Sequence, residues 1–324
     1  MPLRGGPTVD SANGGGNGLT SAAESFLAVE VLVLLAGFGY AAVADWHDRE
    51  VTDRLWQVMG VAGTVLGAVA VAPDGALPLA LWILVAAFVL QHLFAWDELL
   101  GPRFERYADA MEGVAYAAVV LVVALASVRY GIGSGAVPVS VLAVLLTVLF
   151  ARGLFEFGVL YGGADAKALM IAGLVLPLFS MPLLVPQAPP VATLLGVLPF
   201  SVNLLMDAAL LSIAVPIAIG LRNVARGEFR FPRGFSGYTI PVGELPHRFV
   251  WLKDPMVGDR SAERYAETSE EDRQERERIA RELEARGVET VWVTPQIPFL
   301  VLMAAGAVAA LLAGNFVLDL LALL

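Results

Sequence analysis

Two stretches of this chain place acidic side chains where chemistry at a membrane surface would need them. Tyr161-Gly162-Gly163-Ala164-Asp165-Ala166-Lys167 is a glycine-rich turn carrying one carboxylate at the mouth of a long apolar run. Ala44-Asp45-Trp46-His47-Asp48-Arg49-Glu50-Val51 closes another apolar run much earlier. Two carboxylates sharing one water do not both ionise readily, because like charge and burial raise the pKa of one while its partner stays charged. The charged member then takes a proton from water while the neutral one protonates or polarises a scissile carbonyl. That is peptide hydrolysis without a Ser or Cys nucleophile and without a metal. The glycines let backbone approach a substrate and set Asp165 just ahead of a helix. A plainer role is equally open on position alone: both are interfacial acids, and Asp165 suits the N-terminus of a helix beginning at Ala166, where the helix dipole favours negative charge. Asp45 and Asp165 stand 120 positions apart, so only topology can bring them together.

The elements that must do so are apolar. Hydrophobic residues make up 57% of the 324 residues, charged residues 16%, and mean hydropathy is +0.71. Soluble domains run at roughly 45–50% apolar and about 25% charged. The expectation is an integral membrane protein, with the lipid bilayer as its first partner. No cysteine is present, which excludes disulfides, thiolate zinc sites and a Cys nucleophile. A net charge of -10 argues against nucleic acid as a general partner. The three histidines, His47, His92 and His247, are scattered, so no metal site and no cofactor are expected.

Residues 1–24, rich in Gly, Ser and Asn, read as a disordered N-terminal tail. Apolar runs near 25–44, 55–72, 77–95, 111–128, 137–155, 168–185, 194–221 and 297–323 are the candidate spans, a bilayer crossing needing about 20 residues. The fold class expected is an all-α polytopic membrane protein of about eight transmembrane helices with a small α+β cytoplasmic insert. Residues 25–221 form the transmembrane catalytic domain, 222–296 the cytoplasmic module and 297–324 a C-terminal transmembrane helix. With the N-terminus outside, the Lys/Arg-bearing loops 45–54, 96–110, 156–167 and 222–296 all face the cytoplasm. Asp45 and Asp165 then share that face. Trp46, Trp56 and Trp96 read as an interfacial belt.

The module at 222–296 holds 13 of the 21 Lys and Arg residues. Ser269-Glu270-Glu271-Asp272 opens a solvated helix to Arg286 with an N-cap, an acidic first turn and Glu/Arg pairs three or four apart. Phe229 to Trp251 reads as short strands or ordered loop, and Val288 to Thr294 alternates as a strand does.

Gly162-Gly163-Ala164-Asp165, followed by Lys167, resembles the GxGD motif of membrane aspartyl peptidases. Asp45-x-x-x-Arg49-Glu50-Val51-x-Asp53 resembles the first-aspartate motif of the archaeal preflagellin and type IV prepilin peptidases. The likeness covers mainly residues 30–72 and 155–222. It implies that Asp45 and Asp165 are the catalytic pair, with Gly162, Gly163, Ala164, Lys167, Arg49 and Glu50 as supporting positions. It implies removal of short basic class III signal peptides from archaellin and pilin-like precursors at the cytoplasmic face of the cell membrane, and Asp48, Glu50 and Asp53 are placed to attract such a leader. Bacterial relatives also methylate the new N-terminus with a domain that usually bears paired cysteines, so a Cys-free chain is expected only to cleave. Two departures stand out: Ala164 fills the motif's third position, where Gly is the rule, and the separation of the aspartates is about twice that of the family. Two other readings remain: a proton-coupled secondary transporter built on Asp207, with Asn203 one turn away, and a presenilin-like protease, against which Pro295-Gln296-Ile297-Pro298 stands where that family carries Pro-Ala-Leu.

Overall fold

The computed structural model describes residues 16–94, 102–160, 162–179, 182–186, 189–252 and 269–322. Expectations for residues 1–15, for Trp96 and for Tyr161 fall outside that set. Twelve helices occur among the described residues: α1 Gly16–His47, α2 Asp53–Val71, α3 Ala76–Leu90, α4 Pro102–Tyr130, α5 Val139–Glu156, α6 Gly163–Val175, α7 Pro189–Leu195, α8 Phe200–Ser212, α9 Ala214–Ala225, α10 Ser269–Ala285, α11 Phe299–Ala313 and α12 Phe316–Ala322. Three strands join them: β1 Tyr238–Pro241, β2 Val250–Leu252 and β3 Thr290–Pro295. α1 begins nine residues ahead of the expected start at Ser25.

Five helical stretches are long and apolar enough to cross a membrane: Ser25–His47, Asp53–Asp74, Ala110–Tyr130, Val139–Glu156 and Phe200–Ala225. A sixth is added if α11 and α12, bent by 53°, form one span. Two of the expected spans take another form. The run near 77–95 is the shorter apolar helix α3, and the run near 168–185 is α6, only 13 residues long. Pro177 is the cause of the second, since the residue before a proline is driven out of the helical region. Leu176 is accordingly extended, at φ -134° and ψ 83°.

α6 is the hub of the molecule. It packs against α1, α2, α3, α5, α8 and α11, and every residue from Ala168 to Val175 is buried. A helix apolar on all sides belongs inside. Thr147 of α5 sits where a side chain on Gly173 would go, its Oγ1 bonding Ser201 at 2.8 Å and the Ala143 carbonyl at 2.8 Å. Trp56 is fully buried edge-on to Phe38 at 6.3 Å, whereas Trp46 is exposed. The belt expected of both is thus corrected at Trp56, which points from α2 into the bundle.

α8 and α11 make the closest helix pair. A Cβ at Gly306 would collide with the Leu204 carbonyl and lie 2.8 Å from the Ala208 nitrogen. Both are backbone atoms that cannot yield. Gly306→Ala should destabilise the fold by about 1–3 kcal/mol through overpacking, seen as a lower unfolding midpoint in detergent. Gly113→Ala, in open space, should not lower it.

At the end of α11, Gly314 adopts φ 89° and the chain turns into α12. Apolar surroundings leave no water for the freed backbone groups, so protein must satisfy them. The Leu183 and Leu184 N–H groups donate to the Leu311 and Leu312 carbonyls at 3.0 and 2.8 Å. The Phe316 N–H donates to Asp207 Oδ1 at 2.9 Å, and the Leu318 N–H to Asn315 Oδ1 at 3.0 Å.

The polar module has the expected α+β content. β3 lies between β1 and β2, antiparallel to both. Ile240, Val242, Leu245, Val250, Leu252, Ala280, Leu283, Val291 and Val293 form its own core under α10. β3 leads through Gln296 and Pro298 directly into α11, so module and bundle are continuous.

Candidate active site

Asp45 occupies the last turn of α1 and Asp165 the first turn of α6, and these two helices pack together. The beginnings of α2 and α11 meet at the same end of the bundle: Lys167 Nζ bonds Asp53 Oδ1 at 2.6 Å, and the Leu300 N–H donates to Asp45 Oδ2 at 3.1 Å. Four helix termini therefore converge on the two acids.

The glycine before Asp165 is explained by space. Gly162 has φ -93°, a value any residue adopts. A Cβ there, however, would stand 2.8 Å from Asp165 Oδ2 and 3.2 Å from Cγ. The carboxylate is folded back over residue 162, and a side chain there would make it move. Gly163 meets nothing within 4 Å. Ala164 lies inside α6 with helical backbone, which accounts for a methyl in place of the motif's usual glycine.

Arg49 sits at the turn that ends α1 with φ 59°, the left-handed region that costs a non-glycine residue about 1–2 kcal/mol. Its guanidinium lies 5.0 Å above the Phe249 ring, and Arg276 of α10 lies 5.6 Å from the same ring. Among the described residues, Arg49 Nε and Nη1 are buried without hydrogen-bond partners. Burial lowers the pKa of Arg49, and the charge of Asp45 opposes that shift. The module thus touches the neighbourhood of Asp45 through Phe249 beneath Arg49, and α11, which follows it, reaches Asp45 itself through the Leu300 N–H.

Other expectations divide. Asp53 pairs with Lys167 and is half exposed, while Asp48 and Glu50 are exposed on the loop. Asn203 and Asp207 do not bond each other. Each reaches across to the α11–α12 bend, Asn203 Oδ1 accepting from Asn315 Nδ2 at 2.9 Å and Asp207 from Phe316. Nothing in the sequence points to Leu300, because a backbone N–H 255 positions away leaves no side-chain signal. Phe249 is equally silent, one aromatic among 16 phenylalanines.

Residues 230–316 match the family model described as Archaeal Peptidase A24 C-terminus Type II. That segment takes in the three strands, α10 and α11, and so includes Leu300. A preflagellin peptidase of Methanocaldococcus jannaschii is 29% identical over 166 residues, a stretch covering 48% of this chain and 63% of that protein. Over these stretches the chain is similar to archaeal preflagellin peptidases, and it spans less than two thirds of the length of that relative. Five of this chain's helical stretches are long and apolar enough to cross a membrane. The segment that matches this C-terminal family model also includes the Leu300 N–H that donates to Asp45.

Proposed function

We propose that the chain is a membrane aspartic endopeptidase that removes the short basic leader from archaellin and pilin-like precursors, with Asp45 and Asp165 as its catalytic pair. The observation that carries this reading is the meeting of the two acids at adjoining helix ends, with the Asp165 carboxylate seated over Gly162. Support for the substrate class comes from the relative's name.

The proposed chemistry uses one water. Asp45, which accepts the Leu300 N–H and faces the Arg49 charge, is the ionised member and takes a proton from that water. Asp165 is the protonated member and gives its proton to the scissile carbonyl oxygen as the water oxygen bonds to carbon. Collapse of the tetrahedral diol expels the amine, which takes the proton held by Asp45. Asp165 recovers a proton from the collapsing hydroxyl, so the pair returns to its starting state. In the proposed topology the site opens to the cytoplasm. The exposed acids Asp48 and Glu50 then meet the leader's Lys and Arg residues.

Purified protein in liposomes, given an archaellin precursor and a version whose leader Lys and Arg are replaced by Gln, tests the substrate. The expected result is a new N-terminus just after the basic leader, formed at least about tenfold faster from the native leader, the worth of about 1.4 kcal/mol of lost attraction. No cut in either precursor, or equal rates from both, contradicts the assignment.

A further inference from the structure

Away from the two acids, a cavity of about 290 Å³ opens where α9 ends against the module. Its wall carries Arg222 and Arg226 from α9, Arg248 from the segment before β2, Tyr238 and Pro241 from β1, and one carboxylate, Glu244. Arg248 is committed to that carboxylate, with Nε and Nη2 donating to Glu244 Oε2 at 3.3 and 3.0 Å. Arg222 and Arg226 make no ion pair among the described residues. Two cationic groups thus face a cavity whose single acid is already occupied.

The wall is held in place. Asn223, fully buried between the two arginines in sequence, donates through Nδ2 to the Gly234 and Gly237 carbonyls at 2.8 and 2.7 Å. Those bonds fix the approach to β1. The Arg222 guanidinium carbon lies 3.9 Å from the centre of the Tyr238 ring, and Gly220 lets the Phe235 ring lie against α9. Arg222 held over Tyr238 and Arg226 beside it present guanidinium donors to the void, an arrangement that suits a phosphate.

Position selects the bearer of that phosphate. Arg222 and Arg226 stand at the end of the apolar stretch Phe200–Ala225. Immediately along the helix, Ile217, Leu221 and Val224 are exposed on one face at a spacing of four and three residues. A ligand with a phosphate in the cavity therefore has apolar surface for a tail. Basic pockets at the ends of membrane helices are where anionic head groups settle. We infer that this cavity binds the phosphate head group of an anionic phospholipid, its acyl chain lying along Ile217, Leu221 and Val224.

The test uses the full chain purified in detergent and native mass spectrometry, titrated separately with short-chain phosphatidylglycerol, short-chain phosphatidylcholine and inorganic phosphate. The expected result is one phosphatidylglycerol retained at concentrations at least tenfold below those needed for phosphatidylcholine. Arg226→Gln, at an exposed position that holds no other contact, should raise the dissociation constant about tenfold, and Arg222→Gln with Arg226→Gln should abolish retention. Arg278→Gln, on α10 outside the cavity, should leave it unchanged. Equal retention by wild type and Arg226→Gln overturns the site. Inorganic phosphate binding as tightly as phosphatidylglycerol overturns the lipid as occupant.

Discussion

Asp45→Asn and Asp165→Asn are each expected to reduce precursor cleavage by about 10²–10⁴-fold, the usual contribution of a positioned acid or base. The choice of Asn decides between two roles for Asp45. Its Oδ2 accepts the Leu300 N–H, so a purely structural reading makes Asp45 a remote cap for α11. Asn caps a helix about as well as Asp, whereas Ala costs about 1 kcal/mol. A capping residue would therefore tolerate Asn and suffer with Ala. A catalytic carboxylate loses its function with either, because Asn neither holds a negative charge nor carries a transferable proton. Rates measured on folded protein, with unfolding midpoints alongside, separate these outcomes: cleavage should vanish in Asp45→Asn while its midpoint stays near that of the wild type.

The second large effect is expected at Gly162. A methyl there would sit 2.8 Å from Asp165 Oδ2, so the carboxylate must rotate or its helix must shift. Misplacing a reacting group by about 1 Å costs on the order of 10²-fold in rate. Gly162→Ala should thus lower kcat about a hundredfold with little change in KM, since the substrate's leader meets other residues. Gly163→Ala is the control, having open space on the same turn, and should stay within about twofold by the small size of surface substitution effects. Equal losses at both positions would mean that the glycines serve flexibility rather than the seat of Asp165.

The acids, the glycine turn and the content of the module were legible in the sequence because each has a local signature: a carboxylate closing an apolar run, charge pairs at helical spacing, an alternating strand. The meeting of Asp45 with Asp165 followed from loop charge, which orders helix ends even without contacts. Local pattern was blind to depth. The run near 168–185 is apolar on every side, and periodicity cannot separate a bilayer span from a short central helix. Pro177 marked the true end of α6, and its weight shows only when Leu176 is seen extended. Trp56 shared the composition of a membrane-surface tryptophan yet fills the bundle against Phe38. Asp53 looked like part of an acidic patch until Lys167, 114 positions on, was found beside it. The hold of α11 and the module on the site rests on the Leu300 N–H and on the Phe249 ring under Arg49, neither of which has a sequence signature. Asp207 and Asn203 suggested a transport path by their depth. Their bonds to Asn315 and Phe316 give them work at the bend between α11 and α12.

The most direct measurement is mass analysis of an archaellin precursor after incubation with purified wild type, Asp45→Asn, Asp165→Asn and Asp207→Asn protein, each reconstituted in liposomes. Asn at 207 keeps an oxygen for the Phe316 N–H. A two-aspartate peptidase predicts one cut after the basic leader with the wild type and with Asp207→Asn, and intact precursor with the other two. Leader removal by either Asp45→Asn or Asp165→Asn at near wild-type rate contradicts it.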